Sequence, residues 1–119
     1  TGTQVVAGLE MGGIPIATAL ALETGLPAAF VRKQAKTHGT CKVAEGPDLD
    51  GLQVTVVEDV MTSGGQIVLS TQDLRAAGAV VTDALCVIDR ESGDPEALAE
   101  AGIMLHALFT GSDLRPEHG

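Results

Sequence analysis

Apolar positions along this chain come in short bursts separated by glycine, and their period changes from burst to burst. "QVVAG" at 4–8 is a brief β-branched run closed by a glycine, which predicts a strand. "IPIATALALETG" at 14–25 has the length of a helix, with Pro15 in the tolerant first turn and Gly25 at the stop. "PAAFV" at 27–31 reads as a second strand. "QVTVVED" at 53–59 reads as a stronger one, a near-continuous apolar run of the kind covered on both faces. "GQIVLSTQDLRAAG" at 65–78 predicts an amphipathic helix, with Ile67, Leu69, Leu74 and Ala77 on one broad face and Gly78 ending it. "AVVTDALCVID" at 79–89 is a further strand. "DPEALAEAG" at 94–102 is a helix with Asp94 as N-cap, Pro95 at its first position and Gly102 at its end. "IMLHALF" at 103–109 is a last strand.

Strands alternating with helices predict an α/β domain: a mainly parallel central sheet of about five strands, flanked by helices. The 119 residues suit one domain, 1–119, and no repeat or linker divides them. In such sheets ligands bind beyond the carboxyl ends of the strands, so the residues after each strand carry the information. The stretch 33–52 fits no period and holds Gly39, Gly46, Pro47 and Gly51, which predicts a long flexible loop of the lid or binding type.

Composition narrows the chemistry. Phe30 and Phe109 are the only aromatic residues, so the core is aliphatic and stacking platforms for single-stranded nucleic acid are missing. A formal charge of -9 argues against a general polyanion binder. Yet Arg32, Lys33, Lys36 and Lys42 supply four of the seven Lys and Arg residues, in a stretch from Thr24 to Ala44 without an acid. That island predicts one small anionic ligand. Cys41 and Cys86 have no paired spacing and read as free thiols of a reducing cytoplasm. No zinc pattern, leader or apolar run of membrane-spanning length is visible.

The densest candidate chemistry is "VVEDVMTSGG" at 56–65, followed by Gln66. Glu58 and Asp59 fall at the carboxyl end of the best strand, and Thr62, Ser63, Gly64 and Gly65 lead into a helix. Unpaired amides at a helix start suit a phosphate, and glycines let the backbone approach it. Carboxylates repel phosphate but accept hydrogen bonds from sugar hydroxyls. One turn can thus hold a ribose 5-phosphate. The residues alone equally allow a capped helix beside a surface acid pair. Neither a Walker A loop nor a GxGxxG turn is present.

This stretch resembles the phosphoribosyl-pyrophosphate (PRPP) signature of type I phosphoribosyltransferases: apolar residues, two acids, two further residues, then a Thr/Ser/Gly turn. "RKQAKTHG" at 32–39 is similar to the catalytic-loop segment of the orotate phosphoribosyltransferases, RK-x-x-K-x-H-G. "GLEMGGIPIATALA" at 8–21 and "IDRESG" at 88–93 fit the same enzymes in order and spacing. The resemblance implies a Rossmann-like core with a flexible catalytic loop. The reaction it implies joins orotate to PRPP, with magnesium on the donor, to give orotidine 5-monophosphate and pyrophosphate for pyrimidine synthesis. It also implies a cytoplasmic homodimer whose loop is shared across the interface.

Carried over by position, Glu58 and Asp59 bind the ribose hydroxyls, and Asp59 assists the charge forming on the sugar. Val60, Met61, Thr62, Ser63, Gly64, Gly65 and Gln66 form the PRPP loop, with Thr62 through Gln66 around the 5-phosphate. Gly12 and Gly13 make the pyrophosphate turn; Arg32, Lys33, Lys36 and His38 grip the pyrophosphate, with Lys36 the main catalytic residue. Arg90, with Thr62, meets orotate, because a guanidinium fork matches a carboxylate. The protein supplies no definite metal site of its own, since magnesium rides mainly on PRPP. Without the resemblance, Arg90 reads as a turn residue paired to Asp89 or Glu91, and His106, in an apolar strand, as structural.

Relatives of this kind carry an amino-terminal hood ahead of the first strand, which this reading expects the chain to lack. Gly12 stands where some relatives have lysine, and Gln66 where a small hydroxyl residue is frequent. Two other readings keep the fold: a phosphoribosyltransferase for another base, and a non-catalytic or truncated PRPP-binding module.

Overall fold

The computed structural model describes residues 2–33, 44–93 and 96–114. Lys36, His38, Cys41 and Lys42, with the expected helix start at Asp94 and Pro95, lie outside the described residues. Among the described residues the strands are β1 (Val5–Leu9), β2 (Ala28–Val31), β3 (Ala44–Glu45), β4 (Gln53–Met61), β5 (Val80–Asp89) and β6 (Met104–Thr110). They form one sheet in the order β3-β2-β1-β4-β5-β6. All neighbours are parallel except β2 and β3. The helices are α1 (Gly13–Thr24), α2 (Gly65–Ala76), α3 (Ala97–Glu100) and α4 (Gly111–Leu114).

Alternation along the central strands divides the core between the two faces of the sheet. Val5, Ala7 and Leu9 join Val54, Val56, Ile67 and Leu74 on the side of α2, whereas Val6 joins Ala17 and Val57 on the side of α1. Both faces of β1 are therefore covered, and all five of its residues are buried. Helix α1 lies so close to the sheet that a Cβ on Gly13 would overlap the Val57 carbonyl oxygen. Gly25 ends that helix in the left-handed region, at φ 77°, donating its N–H to the Ala21 carbonyl at 2.9 Å.

The expected α/β fold with a mainly parallel sheet is the fold observed. Four local differences are found, and the first two have clear physical causes. Strand β4 continues two residues past Asp59, because β5 extends alongside it as far as the Met61–Asp89 pair. The acids therefore sit inside the ladder and not beyond it. The stretch expected to be structureless from 33 to 52 is structured in its second half. There β3 pairs antiparallel with β2, Arg32 bonds Glu45 at 2.9 Å, and Leu49 is buried in the larger core. Helix α3 is Ala97–Glu100 among the described residues, ending two residues before the expected Gly102, and the short α4 (Gly111–Leu114) is an addition to the expected elements. No helix among the described residues is long and apolar enough to cross a membrane.

Candidate active site

Strand β1 hands the chain to α1 and β2 on one side of the sheet order, and β4 hands it to α2 and β5 on the other. The carboxyl ends of β1 and β4 therefore flank a topological switch point, where the diverging connections leave a crevice. The turn Glu10–Gly12 closes the first strand, and its Glu10–Met11 peptide is cis. Opposite lies the Asp59 side chain, so close to Gly12 that an added Cβ there would overlap the carboxylate. The sequence-predicted pyrophosphate turn and acid pair thus adjoin one another.

The two acids are held differently. Asp59 accepts a hydrogen bond from the Val60 amide at Oδ1, 2.7 Å away. Glu58 turns back and accepts from the Asp59 amide at Oε1, at 3.2 Å. Partial burial pushes the Glu58 carboxyl up to about 7. The adjacent Asp59 side chain adds to the rise, while the Asp59 amide and the Lys33 ammonium oppose it. Across the ladder Glu58 pairs with Cys86, whose thiol is pushed up to about 11 by burial, with Asp89 and Glu58 adding their negative charge. This end of β4 and β5 favours hydrogen-bond donors and cations over anions.

Anion chemistry lies one turn further on. Helix α2 starts at Gly65 with Gly64 as N-cap at φ 83°, no side-chain cap and no acid in its first turn. The Gly64 carbonyl takes the Val68 amide at 3.0 Å, and the Ser63 hydroxyl takes the Gly65 amide at 3.3 Å. Thr62 and Ser63 are exposed. A twelve-residue helix whose positive end carries no carboxylate suits a phosphate.

The remaining candidates are placed as follows. Val60 is partly exposed, and the Met61 side chain packs into the core. Gln66 does not reach into the turn; its amide Nε2 donates to the Lys33 carbonyl at 2.9 Å and to the Ser70 hydroxyl at 3.0 Å. Lys33 is exposed, at the exit of β2. Arg90 follows β5 with its amide bonded to the Met61 carbonyl at 2.9 Å, which ties the exits of β5 and β4 together. His106 bonds Asp83 across β5 and β6 at 3.0 Å, away from the carboxyl ends of the strands.

Two acids at this end make contacts that sequence reasoning missed. Glu10 accepts the Lys33 amide at 2.7 Å. Glu91, at φ 60°, accepts the Ser112 amide and hydroxyl at 2.9 and 2.7 Å. The only signal for Glu10 was its place between the first strand and the glycine pair. Among the described residues no group of three or more His, Cys, Asp or Glu side chains converges as a metal cage.

Comparison with known proteins agrees with this arrangement. Residues 2–105 match the family model described as phosphoribosyl transferase domain. The chain is 49% identical over 113 residues to an orotate phosphoribosyltransferase of Nocardioides sp., covering 95% of this chain and 63% of that protein. Of solved structures, the phosphoribosyltransferase from Corynebacterium diphtheriae superposes with a TM-score of 0.83 at 35% identity, covering 94% of this chain and 67% of that one. The Mycobacterium tuberculosis orotate phosphoribosyltransferase in complex with PRPP superposes with a TM-score of 0.81 at 31% identity, covering 95% and 66%. The chain thus spans less than two thirds of the length of the Nocardioides relative. A glycine turn against an acid pair, an uncapped helix start beyond it and a match over residues 2–105 lead to one conclusion: this chain belongs to the phosphoribosyl transferase domain family.

Proposed function

We propose that this chain carries the transferase core of an orotate phosphoribosyltransferase, joining the ribose 5-phosphate of PRPP to orotate in pyrimidine nucleotide synthesis. The observation that carries the reading is the Asp59 carboxylate packed on Gly12, one short turn from the open start of α2. Similarity to relatives bearing that enzyme's name supports the choice of base.

In this reading the amides of the 62–66 turn bind the 5-phosphate, and Glu58 and Asp59 accept hydrogen bonds from the ribose hydroxyls. A ring nitrogen of orotate, giving up its proton to solvent, attacks C1 while the C1–oxygen bond to pyrophosphate breaks, the bonding pair leaving with oxygen. Positive charge builds on the ribose and is stabilised by the adjacent Asp59 carboxylate. Negative charge builds on the departing group and is met by Arg32, Lys33, Lys36 and His38, with the turn at Gly12 and Gly13 shaping the site. Arg90 takes the orotate carboxylate, with Thr62 beside it. Magnesium would be carried by the donor, where it would offset phosphate charge; it keeps several waters, so the adjacent carboxylates of Glu58 and Asp59 are as much as it would need from the protein. A cytoplasmic homodimer, with the segment bearing Lys36 shared between subunits, completes the proposal.

Product formation tests it. With PRPP and magnesium, orotate is expected to give a nucleotide and pyrophosphate, whereas uracil, adenine and hypoxanthine give little. Preference for one of the other bases would move the chain to a different transferase. PRPP binding with no product under any condition would make it a binding module.

A further inference from the structure

The exit of β2 is held by its main chain from two sides. The Lys33 amide donates to Glu10 at 2.7 Å, and the Lys33 carbonyl accepts from Gln66 at 2.9 Å. Glu10 belongs to the glycine turn after β1, and its own amide is bonded to the Val31 carbonyl at 2.9 Å. Gln66 belongs to the first turn of α2, and its amide is also anchored on Ser70, which is 1% exposed. One residue of the β2 exit is thus pinned simultaneously to the proposed pyrophosphate turn and the proposed 5-phosphate turn. Lys33 lies within electrostatic reach of Glu58, one of the proposed hydroxyl-binding acids.

These bonds are exposed and individually weak. Stability alone gives little reason for two side chains from separate elements to meet on one peptide. We propose that Glu10 and Gln66 form a clamp that positions the Lys33 ammonium for the pyrophosphate end of the donor. The ligand side of this proposal rests on the transferase reading; the clamp itself does not. Gln66 then acts through Lys33 and not through the phosphate it adjoins, so the two ends of the donor are coupled by one side-chain amide.

The test is made on the full chain by exchange of the Lys33 backbone amide, followed by NMR, and by titration with ribose 5-phosphate and with PRPP plus magnesium. Gln66→Ala and Glu10→Ala are each expected to speed Lys33 exchange about tenfold and weaken PRPP about tenfold, a lost hydrogen bond's worth. Ribose 5-phosphate, which lacks the pyrophosphate, should bind the Glu10→Ala variant as before. Glu10→Gln keeps an acceptor and should restore both readouts. In a Lys33→Ala background the Gln66→Ala penalty on PRPP should vanish, as coupled sites require. Unchanged Lys33 exchange in both alanine variants would overturn the clamp, and so would equal weakening of the two ligands by Glu10→Ala. If the wild-type chain binds neither ligand, the transferase reading and the proposed role of the Lys33 ammonium fall, while Lys33 exchange still decides whether the clamp exists.

Discussion

Glu58 carries the most informative charge at this site. Its carboxyl, pushed up to about 7, is half protonated near neutrality in the ligand-free protein. Sugar hydroxyls donate best to the ionised form, so donor affinity should rise between about pH 6 and pH 8. The donor phosphates titrate in this range too, so the Glu58→Gln variant is the control; its affinity profile should be flatter. Stability has the opposite sign. A carboxyl raised in the folded state contributes stability below its unfolded value near 4.5, and that contribution is lost as pH rises through about 7. Glu58→Gln should therefore stabilise the ligand-free protein relative to wild type on the alkaline side, as read by thermal melts; a larger gain in acid would contradict this account. Cys86, fully buried and pushed up to about 11, should resist alkylation at about pH 8 until the protein unfolds. Thr71 is fully buried, and among the described residues its hydroxyl has no hydrogen-bond partner. Thr71→Val should therefore raise stability by about 1 kcal/mol, measured by denaturant titration.

Elements with a long apolar period were legible in the sequence, and those defined by a single tertiary contact were not. Strand β4 announced itself through consecutive β-branched residues, and α1 through its length and Gly25. Strand β3 has two residues, Ala44 and Glu45, and no period to read; its place follows from pairing to β2 and the Arg32–Glu45 bond. Likewise the Glu58–Asp59 pair was visible because both acids interrupt an apolar run, whereas the Glu10 and Gln66 bonds to Lys33 span 23 and 33 residues. Arg75 is another such contact. From the last turn of α2 it donates to the Ala101 carbonyl at 2.7 Å and the Val81 carbonyl at 2.6 Å, stitching α2 to β5 and to the turn after α3. Arg75→Ala should cost roughly 1–3 kcal/mol and lower the Tm by several degrees. A loss within experimental error would mean these bonds are replaced by water at no cost.

At the scale of the molecule, strand order creates the site. The crevice exists because β1 and β4 are neighbours whose connections diverge, and it stays narrow because Gly12 and Gly13 let α1 and its turn press against β4. Gly13→Ala would drive a methyl group into the Val57 carbonyl and should destabilise the whole fold by roughly 1–3 kcal/mol. Gly12→Ala meets the Asp59 side chain first, which can move, and should weaken donor binding more than it lowers the Tm. The central claim is that a sugar phosphate spans the gap from the β4 acids to the α2 amides. A crystal structure of the chain with PRPP and magnesium tests it most directly. The ribose hydroxyls are predicted within hydrogen-bond distance of Glu58 and Asp59, and the 5-phosphate on the amides of residues 63–66. A donor bound in full density elsewhere on the molecule, with that crevice empty, would contradict the account.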